Sequence, residues 1–367
     1  PVPGVLVVPL EQHVGAPSRP IVAIGDTVLR GQVIAAANTA VGVPVHAPSS
    51  GRVVGIEDRP VARRHGDAAP CIVIECDGKD RACTTTRHDD YLAMPPSDLL
   101  SHILEGGIVG LGGAVFPTAQ KLMQAKTSEV ECLILNGVEC EPCISCDEML
   151  MRENATAIVG GARVLMHALQ IETCYIAVES DKPEALKCLA EALDGSDDQR
   201  IVLKQVPTIY PSGAEDQLVQ MLVRREVPSG GLPTDVGCLV QNVGTAAAVH
   251  DWVVAGSPLI SRVTTVTGDG IASPVNVRAR IGTTAAQVIE AAGGYRGEPR
   301  YLVFGGPMTG KSVTTDDVPL DKSANCILAL ADLPSSGPTI PCIRCGDCAA
   351  VCPVQLLPQQ LAWYARA

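Results

Sequence analysis

Residues 110–118 are Gly110-Leu111-Gly112-Gly113-Ala114-Val115-Phe116-Pro117-Thr118, a glycine-rich segment between two predicted helices. Closely spaced glycines let a backbone approach a phosphate or a planar ring, and the N-terminus of a helix favours anions. Lys121 lies one turn into the second helix, where its ammonium group could reach a phosphate. Glycine-rich turns are common, so this segment by itself is only a modest indication of a cofactor site.

Outward from this segment, helical and strand patterns alternate across residues 96–255, which is typical of α/β layering. Helical apolar spacing occurs in residues 154–169, 183–193 and 214–225, and Ser97 could cap a helix that runs through Leu104. Buried-strand candidates are the runs Leu133-Ile134-Leu135, Tyr175-Ile176-Ala177-Val178 and Ile201-Val202-Leu203. We therefore expect an α/β domain here.

Residues 1–95 are predicted to form a β-rich domain, because short β-branched runs alternate with Gly, Pro and Asp turns. The strand candidates are Val5-Leu6-Val7-Val8, Ile21-Val22-Ala23-Ile24 and Ile72-Val73-Ile74. Residues 25–32 and 45–53 resemble the hammerhead of lipoyl and biotinyl domains, but the lysine that those domains modify is missing from the turn. We interpret the domain as a barrel-sandwich-like scaffold and not as a cofactor carrier.

Residues 256–333 return to β character. Strands are predicted at Arg262 to Thr267 and Tyr301 to Phe304, on either side of a helix near Ala285 to Ala292. This unit resembles a β-grasp, soluble-ligand-binding domain. Residues 334–338 are a predicted linker, and the last segment, 334–367, carries a cysteine motif.

The cysteine motif is Cys342-x2-Cys345-x2-Cys348-x3-Cys352-Pro353, the spacing of bacterial ferredoxins. Short loops of this kind bring four soft thiolate ligands around one [4Fe-4S] cluster. In two-cluster ferredoxins the fourth cysteine binds the other cluster. Either all four cysteines hold one cluster, or Cys352 reaches a second one. We favour the second arrangement, since we expect the segment to be truncated at Ala367.

Composition excludes several classes of protein. The 367 residues carry a net charge of 28 − 40 = −12, which argues against a nucleic-acid groove or a basic membrane-binding surface. No run of about 18 apolar residues and no export signal is visible. We expect a soluble protein on the cytoplasmic side of a membrane, attached through partners.

Three further segments, in order along the chain, make the glycine-rich pattern specific. They are Asn136-Gly137-Val138-Glu139-Cys140-Glu141-Pro142, Tyr210-Pro211-Ser212-Gly213-Ala214-Glu215-Asp216-Gln217-Leu218 and Gln241-Asn242-Val243-Gly244-Thr245. Together with residues 110–121 they resemble the NADH- and FMN-binding flavoprotein subunit of respiratory complex I. From its first residues to its last, the chain more closely resembles the family of C subunits of Rnf complexes, which are ion-translocating NADH:ferredoxin oxidoreductases.

This resemblance implies a role for each matching residue. The flavin would be lined by Gly110, Gly112 and Gly113. Its ribityl-phosphate part would be contacted by Lys121 and Asn136. The FMN phosphate end would lie at Asn242 and Thr245. Bordering the nicotinamide nucleotide would be Phe116, Glu139, Glu141 and Glu215, with Gly213 in the same cofactor-binding motif. From the residues alone, the two glutamates beside Cys140 could equally be solvated loop charges.

Two positions depart from these relatives. Val115 stands where the family has glycine, and a β-branched residue is strained if that position needs a positive φ. Ala214 stands where complex I has a glutamate, so nucleotide contacts there are expected to differ.

Two other motifs are not interpreted as sites. Residues 305–312 match a phosphate-binding P-loop, but the β-branched stretch that follows, broken by Pro319, predicts no helix there. The run Cys140-x2-Cys143-x2-Cys146 lacks a fourth nearby ligand, so we interpret it as ordinary loop and core cysteines.

The sequence therefore predicts a peripheral electron-input subunit of an Rnf-type complex at the cytoplasmic face of the cell membrane. NADH would reduce FMN, and [4Fe-4S] clusters would carry electrons toward ferredoxin through an iron–sulfur partner subunit. Ion transport would belong to membrane partner subunits. Two alternatives remain open: an NADH-flavoprotein module of a soluble complex such as a hydrogenase, and an iron–sulfur relay adapter without flavin.

Overall fold

The structure, a computed structural model, describes residues 2–39, 41–62, 68–195, 198–332 and 340–365. Residues cluster into two units, Pro1–Ala331 and Asp332–Ala367. Among the described residues, no helix combines the length and apolar character needed to cross a membrane. The predicted linker at residues 334–338 and the last two residues lie outside the described part.

The N-terminal part of the first unit consists of two antiparallel sheets. Its strands are β1 (Val5–Pro9), β2 (Arg19–Pro20), β3 (Thr27–Val28), β4 (Val33–Ala36), β5 (Val45–His46), β6 (Gly51–Pro60) and β7 (Ala68–Cys76). One sheet has the order β1-β7-β6-β3 and the other β2-β4-β5. Buried aliphatic side chains such as Leu6, Ile34 and Ile72 form their core.

The middle part is a four-stranded parallel sheet covered by helices. Its elements are α1 (Pro96–Glu105), α2 (Thr118–Lys126), β8 (Cys132–Gly137), α3 (Cys146–Glu153), α4 (Ala155–Leu169), β9 (Thr173–Glu179), α5 (Pro183–Asp194), β10 (Ile201–Val206), α6 (Glu215–Val223), β11 (Cys238–Asn242) and α7 (Val243–Val253). Strand order is β10-β9-β8-β11, and all three pairings are parallel. The near-continuous apolar run of β8 fits a strand buried on both faces.

A five-stranded mixed sheet with one helix follows. Its elements are β12 (Ser261–Thr267), β13 (Val275–Arg280), α8 (Ala285–Ala291), β14 (Tyr301–Phe304), β15 (Lys311–Val313) and β16 (Cys326–Leu330). Strand order is β13-β12-β16-β14-β15. Val288 and Ile289 of α8 pack with Val266 and Ile327 of the sheet in a separate core, as a β-grasp arrangement requires.

The second unit contains two short helices, α9 (Asp347–Ala350) and α10 (Pro358–Tyr364). The α9 helix contains Cys348, the third cysteine of the ferredoxin-like motif, and ends before the fourth, Cys352.

Two local predictions were wrong. Residues 21–24 form no strand, because the Ala23 N–H donates to the Asp26 carboxylate (2.8 Å) in a turn that leaves Ile21 and Ile24 exposed. Ser97 does not cap its helix. The helix begins one residue earlier at Pro96, whose fixed φ and missing N–H suit the first helical position.

Helix α7 is held by a close crossing with α4. A Cβ built on Gly161 of α4 would lie 1.9 Å from the carbonyl oxygen of Ala246 in α7. The two backbones are therefore in direct contact, and only glycine fits at position 161. This contact fixes α7, whose first residues follow directly from β11.

We predict that Gly161→Ala destabilises the fold by at least about 3 kcal/mol, at the upper end of overpacking costs, despite alanine's higher helix propensity. The measurement is the urea midpoint of unfolding. Gly195→Ala is the matched control, because its added Cβ would meet nothing closer than 3.5 Å. A Gly161→Ala midpoint equal to that control would show that the helices separate at little cost.

Candidate functional site

The site lies where the strand order of the parallel sheet reverses. From β8 the chain moves outward through β9 to β10, and β11 then returns to the opposite side of β8. Ligands of open α/β sheets bind at the carboxyl ends of the strands at such a point. Asn136 of β8 and Asn242 of β11 are direct partners in the sheet register at this edge.

The glycine-rich segment lies over this edge as a closed loop. The Gly110 N–H donates to the Phe116 carbonyl (2.8 Å), and the Val115 N–H donates to the Gly110 carbonyl (3.2 Å). Gly112 and Gly113 are exposed, and a Cβ built on Gly113 would meet nothing within 4 Å. A flat ring could therefore reach the backbone from this open side.

Two predicted phosphate-end residues fasten the loop to α7. The Asn242 side-chain oxygen accepts from the N–H of Gly244 (2.8 Å) and caps the helix. The Thr245 hydroxyl accepts from the Leu111 N–H (2.9 Å), and the Asn242 amide donates to the Asp147 carboxylate (2.6 Å). These side chains therefore fix the loop and the start of α7 together.

The predicted residues from the other segments converge on the same edge. Lys121 Nζ lies 2.7 Å from Glu215 Oε1, and both side chains are partly exposed. The Asn136 amide donates to the Gly213 carbonyl (2.8 Å). A Cβ on Gly213 would lie 2.6 Å from the Val138 carbonyl oxygen, so a glycine is required for this approach.

Glu139 is not a solvated charge. Its carboxylate accepts from the N–H groups of Asp147 (3.0 Å) and Glu148 (3.1 Å) at the start of α3. Burial raises the pKa of Glu139 to about 7, and the neighbouring Asp147 charge acts in the same direction. Burial also raises the pKa of Asp147, against the hydrogen bond from Asn242 and the charge of Arg262. Burial therefore favours the neutral form of both carboxyls.

Asp147 was missed by sequence reasoning, although an acidic first helical turn was visible in Cys146-Asp147-Glu148. Within the described residues, the side chains close enough to share a metal ion are Glu139, Cys146 and Asp147. Cys140 and Cys143 are not part of this group, so the three cysteines do not converge.

Glu141 binds a different part of the chain. Its carboxylate accepts from the N–H groups of Met308 (2.7 Å) and Thr309 (2.8 Å), and from the Thr309 hydroxyl (2.7 Å). A Cβ on Gly306 would lie 2.2 Å from Glu141 Cγ. The N–H groups of the P-loop-like segment thus bind the Glu141 carboxylate. No helix begins at Lys311, as the sequence predicted, because this residue starts a strand.

Val115 has φ +46°, the left-handed region that β-branched residues avoid. Its carbonyl accepts from the Val14 N–H (3.1 Å), and its side chain is half-buried against the main core. Val115 therefore has the positive φ at which a β-branched residue is expected to be strained.

Two buried basic side chains bind backbone carbonyls of the loop and of the residues just before it, and sequence reasoning missed both. Arg262 Nη2 donates to the Leu111 carbonyl (2.8 Å), and Lys322 Nζ donates to the Gly107 carbonyl (2.6 Å). Both lie within the β-grasp part of the chain. No periodicity or motif marks a buried arginine or lysine whose partner is a backbone carbonyl.

The cysteine motif lies in the second unit, with Cys348 within α9, and no three of its four sulfur atoms, all of which the structure describes, lie within 4.8 Å of one another. The Arg344 N–H donates to Cys342 Sγ (3.4 Å), and the Leu356 N–H donates to Cys352 Sγ (3.4 Å). Amide hydrogen bonds to sulfur are a feature of iron–sulfur sites. Gly346 adopts φ +85°, which lets the backbone turn between Cys345 and Cys348.

Three family models match the chain. Residues 1–79 match the RnfC barrel sandwich hybrid domain, residues 103–251 the Nuo51 FMN-binding domain, and residues 263–312 the SLBB domain. The predicted fold class is thereby confirmed.

The chain is also similar to a solved structure, an NAD+-reducing [NiFe]-hydrogenase in the H2-reduced state. The TM-score is 0.57 with 21% identity, over 67% of this chain and 49% of that one. At this identity the likeness concerns the fold alone.

Curated relatives cover the whole chain. The C subunit of the ion-translocating oxidoreductase complex of Pseudomonas aeruginosa is 49% identical over 98% of this chain and 46% of the relative. The Vibrio cholerae protein of the same name is 43% identical over 100% of this chain and 47% of the relative. The chain thus spans about half the length of these two relatives.

The C subunit of the proton-translocating ferredoxin:NAD(+) oxidoreductase complex of Clostridium ljungdahlii is 42% identical over 99% of this chain and 79% of the relative. Because this identity extends along both proteins, and the N-terminal and FMN-binding domain models match in the expected order, the chain belongs to the family of C subunits of Rnf-type ion-translocating oxidoreductase complexes.

Proposed function

We propose that this chain is the NADH-oxidising electron-input subunit of a membrane-bound Rnf-type complex. Electrons would pass from NADH through FMN to one or more [4Fe-4S] clusters and on toward ferredoxin. The main support is the open Gly112–Gly113 backbone at the sheet's switch point, within residues that match an FMN-binding domain. The clostridial relative's name, which describes part of a ferredoxin:NAD(+) oxidoreductase, supports the same reaction class.

FMN fits the residues at this edge. The backbone of Gly110, Gly112 and Gly113 would face the flavin ring, because Gly112 and Gly113 are exposed and a Cβ built on Gly113 would meet nothing within 4 Å. Lys121 would provide a cation for the phosphate, and Asn136 would orient the ribityl-phosphate part. Bound FMN would supply the exchange of a two-electron hydride for single electrons.

The remaining site residues would hold the cofactor pocket in shape. Asn242 and Thr245 keep the loop and the start of α7 together at the phosphate end. Glu215, whose carboxylate is partly exposed, would border the nicotinamide nucleotide together with Phe116. Glu139 and Glu141 would also border the nicotinamide nucleotide, and their hydrogen bonds would hold the loop between β8 and α3 in place.

In the second unit, Cys342, Cys345, Cys348 and Cys352 would bind iron. The amide-to-sulfur hydrogen bonds at Cys342 and Cys352 support this assignment, since they stabilise thiolate ligands. Either the four cysteines hold one cluster, or Cys352 ligates a second.

The protein would lie at the cytoplasmic face of the cell membrane as a peripheral subunit. Its partners would be membrane subunits that transport ions and an iron–sulfur subunit that passes electrons to ferredoxin. A joint assay of flavin, iron and sulfide on the intact complex tests the proposal. Iron without flavin would favour the relay adapter, and a complex without hydrophobic subunits would favour a soluble hydrogenase-type module.

We predict that Lys121→Ala weakens FMN binding by tenfold or more, because a charge-assisted hydrogen bond contributes on the order of 1.5–3 kcal/mol. The measurement is flavin affinity at moderate salt. Lys126→Ala, at the exposed end of the same helix, is the control. Equal affinity in wild type and Lys121→Ala would remove Lys121 from the phosphate site.

We predict that Val115→Gly tightens FMN binding by up to about tenfold, because glycine relieves positive-φ strain of about 1–3 kcal/mol. Some of this gain is offset by the flexibility that glycine adds. Val115→Ala is the matched variant: it removes both methyls but keeps Cβ, so it separates crowding from strain. Unchanged affinity and unchanged NADH oxidation in Val115→Gly would make Val115 a neutral variation.

We predict that Cys345→Ser lowers the iron content while FMN binding survives, because the motif and the glycine-rich loop belong to different units. Iron content and flavin fluorescence are measured on the same sample. Cys188→Ser, in helix α5, is the control. Loss of both cofactors in Cys345→Ser would contradict independent sites.

A further inference from the structure

Two basic side chains from the β-grasp part hold the glycine-rich segment and the residues just before it. Arg262 lies on β12 and Lys322 precedes β16, and their side chains reach the carbonyls of Leu111 and Gly107. Arg262 is 5% exposed and Lys322 is 1% exposed. Arg262 also donates to the Lys322 carbonyl, so the two anchors are linked.

These cations are costly to bury. Removing an ion from water costs several kcal/mol, and a well-packed apolar side chain of similar volume is often as stable or more stable. Burial lowers the pKa of Lys322 to about 7. Each of these two side chains provides a hydrogen-bond donor for a particular backbone carbonyl, which an apolar side chain cannot do.

The Leu111 peptide is thereby fixed on both sides. Its N–H donates to Thr245 of α7, and its carbonyl accepts from Arg262 of β12. The next two residues, Gly112 and Gly113, are exposed glycines with wide conformational freedom and no side chain to anchor them. Their orientation therefore depends on how the Leu111 peptide is held.

Gly107 is confined in the same way. It has φ +65°, and a Cβ there would lie 2.6 Å from the Pro44 carbonyl oxygen and 3.0 Å from His46 Nδ1. Lys322 binds the carbonyl of this residue where the N-terminal and middle parts meet. The entry to the loop is therefore clamped between three parts of the first unit.

We propose that Arg262 and Lys322 are positioning residues for the flavin site, which hold the glycine-rich loop in the conformation that receives the flavin ring. The inference rests on the proposed flavin site. It gives the β-grasp part a defined role, the presentation of a loop that belongs to a neighbouring part of the chain.

The test compares Arg262→Gln and Lys322→Met in the full chain. Arg296→Gln and Lys311→Met are matched controls, because they remove the same charges from the β-grasp part at positions away from the loop. Three quantities are measured: FMN affinity by fluorescence titration, hydrogen exchange of residues 107–118 without flavin, and the urea midpoint.

We expect Arg262→Gln to weaken FMN binding by about tenfold, as one charged-group hydrogen bond would. Lys322→Met should weaken it less, because Gly107 lies farther from Gly112. Both variants should accelerate exchange within residues 107–118, and both controls should match wild type. Arg262→Lys keeps the charge but loses the fork of donors, so its affinity should be intermediate.

Wild-type affinity together with wild-type exchange in Arg262→Gln and Lys322→Met would overturn the inference. If Arg262→Gln does not fold, Arg262→Lys replaces it. Weaker FMN binding at a wild-type urea midpoint then supports the inference, and unchanged affinity overturns it. If wild type binds no FMN, the proposed function fails, while the exchange comparison still decides whether the two cations hold the loop.

Discussion

The geometry of the candidate site depends on the peptide group of Leu111. A buried backbone N–H and C=O must each find a partner, and here neither partner is local. Thr245 and Arg262 supply them from 134 and 151 residues farther along the chain. The loop that presents Gly112 and Gly113 is therefore defined by contacts among the glycine-rich segment, α7 and β12. A site built in this way exists only when the middle and β-grasp parts of the first unit are both folded.

Two glutamates of one short loop show how the surrounding backbone decides the role of a charge. Glu139 accepts from amides at the start of α3, where the helix dipole favours an anion. Glu141 accepts from the turn at Met308 and Thr309, which carries a phosphate-loop pattern in its sequence. Clustered N–H groups of the kind that bind phosphate thus bind a carboxylate of the protein itself. The Glu141 contact also joins the middle part to the β-grasp part.

Much of the architecture followed from local patterns. The parallel strands β8, β9 and β10, the helices from α4 to α6 and the β-grasp helix were visible as apolar patterns, which depend on a residue and its near neighbours, whereas β11 was not predicted. The errors were local as well. At residues 21–24 a turn bonded by Asp26 replaced a strand, and at Ser97 a preceding proline began the helix first. In both cases a single polar or cyclic residue decided the local backbone.

By itself, the sequence determined the order of the parts and the ferredoxin-like cysteine spacing, since motifs and periodicity are carried by neighbouring positions. Only the tertiary structure decided that Asn242 binds Asp147, that Glu141 binds a turn instead of solvent, and that Arg262 and Lys322 hold the loop. The physical reason is that a buried polar group can be satisfied by any donor or acceptor that the fold brings near. Which distant residue supplies it is fixed by packing and leaves no local pattern.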